Sequence, residues 1–532
     1  MKPMLFFGGP ILTMDGPERP QAVLVKEGRI AQVGTLRDCA AHAEDAVSFD
    51  LQGRALLPAF LDPHSHLTAL ANTLRLAALE GAKSFDEIAE RLTDFIRANP
   101  DTPGGWVNGF GYDHNQLREG RHPTRELLDA VCADRPVLIA HASGHMGAAN
   151  SAALRALGID ENTPDPEGGR IGREADGRTP SGYLEETAFT SASAKIPQPS
   201  AEQRLALLEK AQQIYFANGI TTIQDGLTRQ REWELLRMAS ERGVLRADVV
   251  SYLDLQQCRA LAREFADYRS YHGRLRIGGY KIFLDGSPQG RTAWISQPYL
   301  GEPAGERGYP IHTDAAVEQF MTEALEDHTQ ILVHCNGDEA ARQMLDGYAA
   351  ALKKTGLPGV RPVMIHAQLL RPDQLPRLRE LGVIASFFVA HTWHWGDTHL
   401  RNLGPERASR ISPVGSALRQ GVCYTFHQDS PVLPPDMIDT LFCAVNRITR
   451  AGVRLAAEER LSVPDALAGM TRNAAFQYGE EEQKGRIRPG MRADLVLLSE
   501  DPLAVPAAEL RRLRVLRTFR EGETLWQAEE NA

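Results

Sequence analysis

Short apolar runs alternate with helical stretches through the central part of the chain. The runs are apolar along nearly their whole length, which is typical of parallel strands buried on both faces. A helical stretch such as AEQRLALLEKAQQIYFANG ends at Gly219, a residue type favoured at helix C-termini. We predict strands at the following runs: ALLPAFLD, PVLIAHA, TTIQDG, LRIGGYKIFLDG, QILVHCNG, PVMIHAQ, GVIASFF and VCYTFHQD. Strands that alternate with helices over such a length predict an α/β fold, namely a (β/α)8 barrel.

Both ends of the chain have the pattern of strands joined by tight turns. AVLVKEGRIAQVG alternates apolar and polar positions around Glu27-Gly28, which is a hairpin signal. Near the other end, a Pro489-Gly490 turn precedes the strand of GRIRPGMRADLVLL, and VLRTFREGETLW has the pattern strand, turn, strand. Because chain termini often lie close together, we predict that the two ends pair into one small domain.

One segment interrupts the alternation of the central part. DENTPDPEGGRIGREADGRTPSGYL is dense in Gly, Pro and charge and has no helical period. Since long irregular loops in compact domains are usually functional or disordered, we predict an insertion at the barrel mouth over about residues 100–200, as a lid or mouth loop. The predicted domains are therefore a barrel at 58–480 with this insertion, and a terminal domain made from 1–57 and 481–532.

Composition narrows the class of protein and its partners. The 532 residues are 42% hydrophobic and 24% charged, a mixture typical of soluble globular proteins. Asp and Glu outnumber Lys and Arg, 69 to 59, and the net charge of −10 opposes binding to nucleic acid or to an anionic membrane. The six cysteines form no C-x-x-C pair, the first residues make a poor signal peptide, and no apolar stretch is long enough for a bilayer. We expect a soluble cytoplasmic protein, with a homodimer as the default assembly.

Polar residues stand at the carboxyl ends of the predicted strands. In PHSHL, the alternation of side chains along a strand directs the two histidines to the same side. In a barrel the carboxyl ends of different strands meet at one face, where active sites are built. The residues at these ends are His64, His66, Lys281, His334, His366 and Asp429.

Each of these residues has an ordinary structural interpretation when it is taken singly. A lone histidine at a strand end is more often a hydrogen-bonded polar group than a ligand, Lys281 could extend to solvent, and Asp429 could cap the turn at Ser430-Pro431. Taken together, four imidazoles and a carboxylate on one barrel face favour a bound transition metal, with zinc as first choice and iron or manganese as alternatives.

Several stretches resemble the amidohydrolase superfamily, in particular its amidohydrolase-3 branch, which includes N-substituted formamide deformylases. The resemblance covers nearly the whole chain and rests on PAFLDPHSHL with the later Lys, His, His and Asp, on KIFLDGSPQGRTAWISQPYL, on HASGHMGAANSAAL and on GRIRPGMRADLVLL. It implies a distorted (β/α)8 TIM barrel that carries a small β-sandwich made from both termini.

The resemblance also implies roles for the strand-end residues. His64, His66 and Asp429 would hold the more buried metal, and His334 and His366 the second. Lys281 matches a lysine that is N6-carboxylated in binuclear members and bridges two metals, which here would be two zinc ions. Asp429 would act as general base and then as general acid. The alternative is a mononuclear site, in which His366 contacts the substrate.

Further residues are candidates for substrate binding, each with a structural alternative. His145 matches a histidine of the branch, but the aspartate expected two residues earlier is Ser143. Arg291 could bind a substrate carboxylate or pair with Asp285, and the aromatic stretch HTWHWGDTH could line a pocket or pack the barrel rim. The full set of candidates is His114, His145, Asp285, Gln289, Arg291, Trp393 and His394.

The function implied by the resemblance is hydrolysis of a C–N bond in a small-molecule amide through a metal-activated hydroxide. N-substituted formamides are the first candidate substrates. A metal-dependent deaminase or cyclic amidohydrolase is the second hypothesis, and a regulatory or binding homologue without turnover is the third.

Overall fold

The computed structural model describes residues 2–301 and 305–529. The chain divides into two compact units, one formed by Met1–Ala69 with Glu209–Ala532 and the other by Leu70–Leu208. The strands, numbered along the chain, are β1 Met4–Phe7, β2 Ala22–Lys26, β3 Arg29–Gly34, β4 Val47–Asp50, β5 Ala55–Pro58, β6 Phe60–Leu61, β7 Leu76–Ala78, β8 Val107–Tyr112, β9 Val137–His141, β10 Met146–Ala149, β11 Gly169–Arg173, β12 Pro180–Glu186, β13 Ile220–Thr228, β14 Asp248–Asp254, β15 Leu275–Phe283, β16 Gln330–Cys335, β17 Val363–His366, β18 Ile384–Phe387, β19 Tyr424–Phe426, β20 Leu495–Leu498, β21 Val515–Arg520 and β22 Glu523–Gln527.

Helices connect most of these strands. The α-helices are α1 Leu36–Ala40, α2 Leu67–Thr73, α3 Phe85–Ala98, α4 Arg125–Val131, α5 Ser151–Leu157, α6 Thr187–Ala194, α7 Ala201–Ala217, α8 Gln230–Glu241, α9 Leu255–Glu264, α10 Asp314–Glu326, α11 Asp338–Thr355, α12 Gln374–Glu380, α13 His391–His394, α14 Gly396–Ser409, α15 Val414–Arg419, α16 Met437–Asn446, α17 Val463–Gly469 and α18 Arg472–Gln477. No helix in the described ranges combines the length and the apolar character that a membrane span requires.

An eight-stranded parallel sheet organises the larger unit, in the order β6, β13, β14, β15, β16, β17, β18, β19. The strands follow one another in chain order, and helices lie between most of them in sequence, so the predicted α/β class with a parallel sheet is confirmed. Beyond the carboxyl ends of the two outer strands, the backbone N–H of His66 donates to the carbonyl of Ser430 at 2.8 Å.

Seven of the eight predicted runs contribute a strand to this sheet. The prediction for PVLIAHA was wrong, because this run is β9 and belongs to a six-stranded sheet in the unit Leu70–Leu208. Its place among the eight parallel strands is taken by β14, whose buried Asp248 and Ser251 interrupt the apolar pattern. An apolar run indicates burial but not the sheet in which the strand pairs.

The two chain ends form two four-stranded sheets, with the orders β3-β2-β1-β4 and β22-β21-β20-β5. The predicted hairpin around Glu27-Gly28 is present as antiparallel β2 and β3. Side chains from both sheets meet in one hydrophobic cluster, which includes Phe6, Val25, Leu495 and Phe519. Residues far apart in sequence therefore share one apolar core near the termini.

The unit Leu70–Leu208 contains the six-stranded sheet of order β11-β12-β10-β9-β8-β7. The insertion predicted over about residues 100–200 lies within this unit, and its role as a lid stays a prediction. The expectation of an irregular loop within it was wrong, since β11 and β12 pair as an antiparallel hairpin. The turn at Asp176-Gly177 explains the hairpin. The Asp176 carboxylate accepts hydrogen bonds from the backbone N–H groups of Arg178 and Thr179. Gly177 has a φ of 71°, which a tight hairpin turn requires.

Candidate metal centre

His64 and His66 follow β6 and contact a carboxylate that follows β19. The Nε2 atoms of His64 and His66 lie 3.3 and 3.2 Å from Oδ1 of Asp429. The two imidazole centroids are 5.1 Å apart. The two histidines predicted to point to the same side of the chain both contact Asp429, which follows the other outer strand of the sheet.

Gln224 on β13 orients the His64 ring. Its side-chain amide donates to the carbonyl of Pro63 at 2.6 Å and to the hydroxyl of Tyr478 at 3.2 Å, so its Oε1 is the atom that faces His64. Oε1 lies 2.7 Å from Nδ1 of His64 and accepts the Nδ1–H, which leaves the Nε2 lone pair directed toward Asp429. Metal-ligating histidines almost always donate their other ring N–H to a hydrogen-bond acceptor, and Oε1 of Gln224 is such an acceptor for His64.

Gly226, two residues further along β13, packs against the same ring. A Cβ atom at this position would lie 2.7 Å from Cε1 of His64 and 2.8 Å from the carbonyl oxygen of Ser65. The backbone N–H of Gly226 also donates to that carbonyl at 2.7 Å. The sequence TTIQDG thus supplies both the hydrogen-bond acceptor and the space that His64 requires.

Asp429 occupies a strained backbone position in the centre of the site. Its φ is 54°, in the left-handed region, and its Oδ1 is buried without a hydrogen-bond partner among the described residues. Burial alone would raise the pKa of this carboxyl, but contact with His66 and the neighbouring His64 and His366 hold the pKa well below its ordinary value. The carboxylate is therefore anionic and has lone pairs available for a cation.

Lys281 reaches the same site from β15 and is 1% exposed. Its Nζ lies 3.2 Å from Nε2 of His64. Burial lowers the pKa of this amine from its ordinary value to about 7, although the Asp429 carboxylate acts in the opposite direction. A large fraction of the side chain is therefore neutral at physiological pH.

His334 on β16 and His366 at the end of β17 bring two more nitrogens together. Nε2 of His334 lies 3.1 Å from the carbonyl oxygen of Gly286 and 3.0 Å from the side-chain nitrogen of Asn336. We assign the ring proton to Nε2, where the Gly286 carbonyl accepts it, so Nδ1 is the lone-pair nitrogen. This Nδ1 lies 3.0 Å from Nε2 of His366. Burial and Lys281 lower the pKa of His334 to about 4, and burial and His334 lower the pKa of His366 well below its ordinary value. Both rings are neutral, which is the form that binds metals.

His427, which the sequence analysis did not select, orients His366. Its Nδ1 lies 2.9 Å from Oγ of Ser386, and its Nε2 lies 3.2 Å from Nδ1 of His366. Burial lowers the pKa of His427 to about 3, so it is neutral. We assign the proton between these two rings to Nδ1 of His366, which donates to Nε2 of His427. The lone pair on Nε2 of His366 is then directed toward His334.

The residues of this site fit a divalent metal. One ring nitrogen of His64, one of His366 and a carboxylate oxygen of Asp429 lie within 4.8 Å of one another. Neutral imidazoles and a carboxylate whose inner oxygen lacks a hydrogen-bond donor are the donor set that zinc, iron and manganese accept. His66, Lys281 and His334 each contact a member of this group at 3.0–3.2 Å. The six predicted side chains are therefore brought together, and their individual roles stay predictions.

Asp285, Gln289 and Arg291 follow β15, in a loop near His334. The buried Asp285 carboxylate accepts the backbone N–H groups of Trp294, Asn336 and Gly337 at 2.7–3.0 Å. It therefore anchors three chain segments, and burial raises its pKa to about 7. Its Oδ1 lies 3.7 Å from Nε2 of His334.

Among the described residues, Arg291 contacts Asn402 and not Asp285, which was suggested as its structural partner. Its Nε donates to Oδ1 of Asn402 at 3.1 Å, and the Asn402 amide donates to the carbonyl of Gln289 at 3.3 Å. The backbone of Arg291 has φ 58°. Whether Gln289 and Arg291 contact a substrate stays a prediction.

Trp393 and His394 lie on α13. They contact Asp439 on α16 and two arginines that follow α16 in sequence. The Arg511 guanidinium stacks 4.0 Å from the Trp393 ring centroid. Nε2 of His394 lies 3.2 Å from a carboxylate oxygen of Asp439, and Nδ1 accepts from Arg450 at 3.1 Å. Both side chains are half-buried in these contacts, and their role in substrate binding stays a prediction.

His114 and His145 belong to the unit Leu70–Leu208. His145 is exposed, and its Nδ1 lies 3.1 Å from a carboxylate oxygen of Glu186. His114 lies in a cluster of histidines with His122 and His141. The substrate-binding role suggested for His114 and His145 also stays a prediction.

Residues 48–525 match the amidohydrolase family, and the chain belongs to this family, in its amidohydrolase-3 branch. It is similar to the N-substituted formamide deformylase of Arthrobacter pascens, with 30% identity and 98% of each chain covered. It is also similar to the putative amidohydrolase YtcJ of Bacillus subtilis, with 27% identity over 98% of this chain and 99% of the relative.

Among solved structures, the chain is similar to an uncharacterized metal-dependent hydrolase from Pyrococcus furiosus. The two share 27% identity with a TM-score of 0.75, and the match covers 94% of this chain and 100% of that chain. The fold and the family together identify the protein as a hydrolase.

Proposed function

We propose that the protein is a metal-dependent amidohydrolase that cleaves a C–N bond, other than a peptide bond, in a small-molecule amide. The observation that carries this proposal is the convergence of neutral imidazoles and an anionic carboxylate at the carboxyl ends of parallel strands. In parallel α/β folds this edge is where catalytic residues assemble. The chain's similarity to a formamide deformylase favours N-substituted formamides as substrates.

We propose two zinc ions for this site, with iron or manganese as substitutes. His64, His66 and Asp429 would hold one ion, and His334 and His366 the other. Lys281 is placed to connect them after N6-carboxylation: its neutral amine nitrogen forms a bond to the carbon of CO2 and releases a proton, which gives an anionic carbamate. The lowered pKa of Lys281, about 7, favours this reaction because only the neutral amine is a nucleophile.

When bound, the metal would supply Lewis-acid polarisation of the substrate carbonyl and lower the pKa of water. Side chains of the protein carry out the proton transfers. Asp429 presents Oδ1 to His64 and His66, and its Oδ2, 3.8 Å from Nε2 of His366, is the oxygen that takes a proton from water. Asp429 then returns this proton to the leaving nitrogen. For a formamide the products are formate and an amine.

Two features of the fold support the architecture expected for such an enzyme. We propose that the eight parallel strands close into a distorted (β/α)8 barrel, since a hydrogen bond from His66 to Ser430 links the chain beyond its two outer strands. We also propose that the two terminal sheets form a small β-sandwich, since their side chains share one apolar cluster. The cysteines are free in the structure, which suits the reduced cytoplasm.

The function is tested by metal analysis combined with a substrate screen. The purified, zinc-loaded enzyme is assayed with N-substituted formamides, N-acyl amino acids, cyclic amides and ring amines. We expect release of formate from formamides. Ring opening of a cyclic amide or release of ammonia from a ring amine would support the second hypothesis instead. Full metal content without turnover of any class would favour the binding homologue.

A further inference from the structure

Among the described residues, a second group of metal-ligating side chains lies in the unit Leu70–Leu208. Asp113 and His114 directly follow β8, and His141 is the last residue of the neighbouring parallel strand β9, in register with Tyr112. The carboxyl ends of parallel strands meet at one edge of a sheet, so these three side chains are neighbours although they come from two elements.

Two of the three distances between the ligand atoms are close to those of a tetrahedral site, and the third is longer. Nδ1 of His114 lies 3.3 Å from Nε2 of His141, and Oδ1 of Asp113 lies 3.5 Å from the same Nε2 and 4.0 Å from Nδ1 of His114. Zinc bonds of about 2.0–2.1 Å place tetrahedral ligands about 3.3–3.4 Å apart. We propose that Asp113, His114 and His141 bind a zinc ion that shares no ligand with the candidate metal centre.

Each ligand is held by a second contact. Oδ1 of Asp113 accepts from the backbone and side-chain N–H groups of Asn115 at 2.9 and 3.1 Å, and Oδ2 accepts from Gln116 at 3.1 Å. These bonds fix the carboxylate and use both lone pairs of Oδ1 and one of Oδ2, so the lone pair left for a metal is on Oδ2.

The two imidazoles are also restrained. The His114 ring stacks on His122, with centroids 4.0 Å apart and planes at 29°. Nδ1 of His141 lies 2.9 Å from Oγ of Ser143 and 3.0 Å from its backbone nitrogen. The backbone N–H of Ser143 donates to Nδ1 of His141 in the structure, so zinc binding through Nε2 requires the ring proton to move to Nδ1, where Oγ of Ser143 accepts it. Without zinc, Nδ1 accepts from the Ser143 backbone and Nε2–H faces Asp113.

The site supplies three protein ligands and has access to solvent for the fourth. The side chains of Asp113 and His114 are 25% and 28% exposed, whereas that of His141 is 11% exposed. Three protein ligands with one position left for water is a coordination that zinc adopts in proteins. The donor set excludes calcium or magnesium as the preferred ion, because those ions favour oxygen ligands.

The proposal is tested in full-length protein whose catalytic centre has been disabled by His64→Asn and His366→Asn. We expect this protein to bind one zinc ion per chain with an X-ray absorption spectrum of nitrogen and oxygen ligands at about 2.0 Å. Adding His114→Ala should remove this ion, and adding Asp113→Asn should weaken its binding about tenfold or more. His42→Ala, which removes an exposed histidine, is the matched control and should change nothing.

Zinc that stays bound with unchanged affinity after both His114→Ala and Asp113→Asn would overturn the proposal, and so would the absence of zinc from the parent protein. The circular-dichroism melting curve separates loss of metal from loss of fold. If the His114→Ala protein does not fold, the zinc affinity of the Asp113→Asn protein tests the proposal, because this substitution keeps the shape of the side chain and removes only its charge. Neither result depends on whether the catalytic centre hydrolyses amides.

Discussion

Replacing Gln224 by leucine tests how the fold prepares His64 for metal binding. Gln224 lies 160 positions from His64 in sequence, and its Oε1 accepts the Nδ1–H of that ring at 2.7 Å. Leucine has a similar volume but no acceptor, so the imidazole can turn or change its tautomer. The Nε2 lone pair is then no longer held toward Asp429.

The size of the effect follows from which partners lose their hydrogen bonds. The carbonyl of Pro63 keeps the amide of Gln477, and the hydroxyl of Tyr478 keeps the carbonyl of Asp62. The group that loses its acceptor is the buried Nδ1–H of His64, which costs about 1–3 kcal/mol of stability. Loss of such a supporting residue typically weakens metal binding about 10–100-fold, equivalent to about 1.4–2.8 kcal/mol.

The assay is zinc affinity, measured by competition with a chromophoric chelator, together with thermal unfolding. Gln343→Leu is the matched control, since Gln343 is equally buried but hydrogen-bonds to the carbonyl of His312 and to Asp314. We expect the control to lower stability without changing zinc affinity at the catalytic centre. Unchanged zinc affinity in Gln224→Leu would refute the argument that this amide sets the His64 tautomer.

Three further substitutions test the centre. Asp429→Asn should lower turnover about 10²–10⁴-fold while most of the metal is retained, because it removes the proton acceptor and keeps the side-chain shape; activity and zinc content are measured together. Lys281→Ala should reduce the metal content toward one ion per chain, because the carbamate bridge is lost; elemental analysis measures it. Gly226→Ala should destabilise the protein by about 1–3 kcal/mol and lower zinc content, because the new methyl group lies against the His64 ring; denaturant unfolding measures the stability.

Each substitution has its own control or contrary outcome. Wild-type turnover in Asp429→Asn would show that another group transfers the proton. Two ions retained in Lys281→Ala would exclude the bridge. Gly34→Ala is the matched control for Gly226→Ala, since a Cβ at Gly34 meets nothing within 4 Å. An equal effect of both glycine substitutions would refute the packing argument.

The positions of the six strand-end residues could be predicted from the sequence because the rule involved is local. A polar residue at the end of a buried parallel strand lies at the carboxyl edge of the sheet, whichever strand it follows. Lys281 is an instructive case, since it lies inside β15 and is buried rather than extended to solvent. Its place in the strand pattern selected it but left open whether it is a ligand or extends to solvent, and the resemblance to amidohydrolases supplied its role as a metal bridge.

The residues that support the ligands could not be predicted in this way. Gln224 was visible as a polar residue within TTIQDG, and His427 as a histidine two positions before Asp429, but neither pattern specifies a partner. Their contacts with His64 and His366 depend on which strands are neighbours in the sheet. The misplacement of PVLIAHA has the same origin, because burial is encoded in a run of residues and strand pairing is not.

The assignment of these six residues to a metal centre is tested most directly by anomalous X-ray diffraction from crystals of the zinc-loaded enzyme, recorded on both sides of the zinc absorption edge. The expected result is an anomalous peak within bonding distance of His64, His66 and Asp429, and a second one beside His334 and His366. A zinc-loaded crystal without any anomalous peak among these side chains would contradict it.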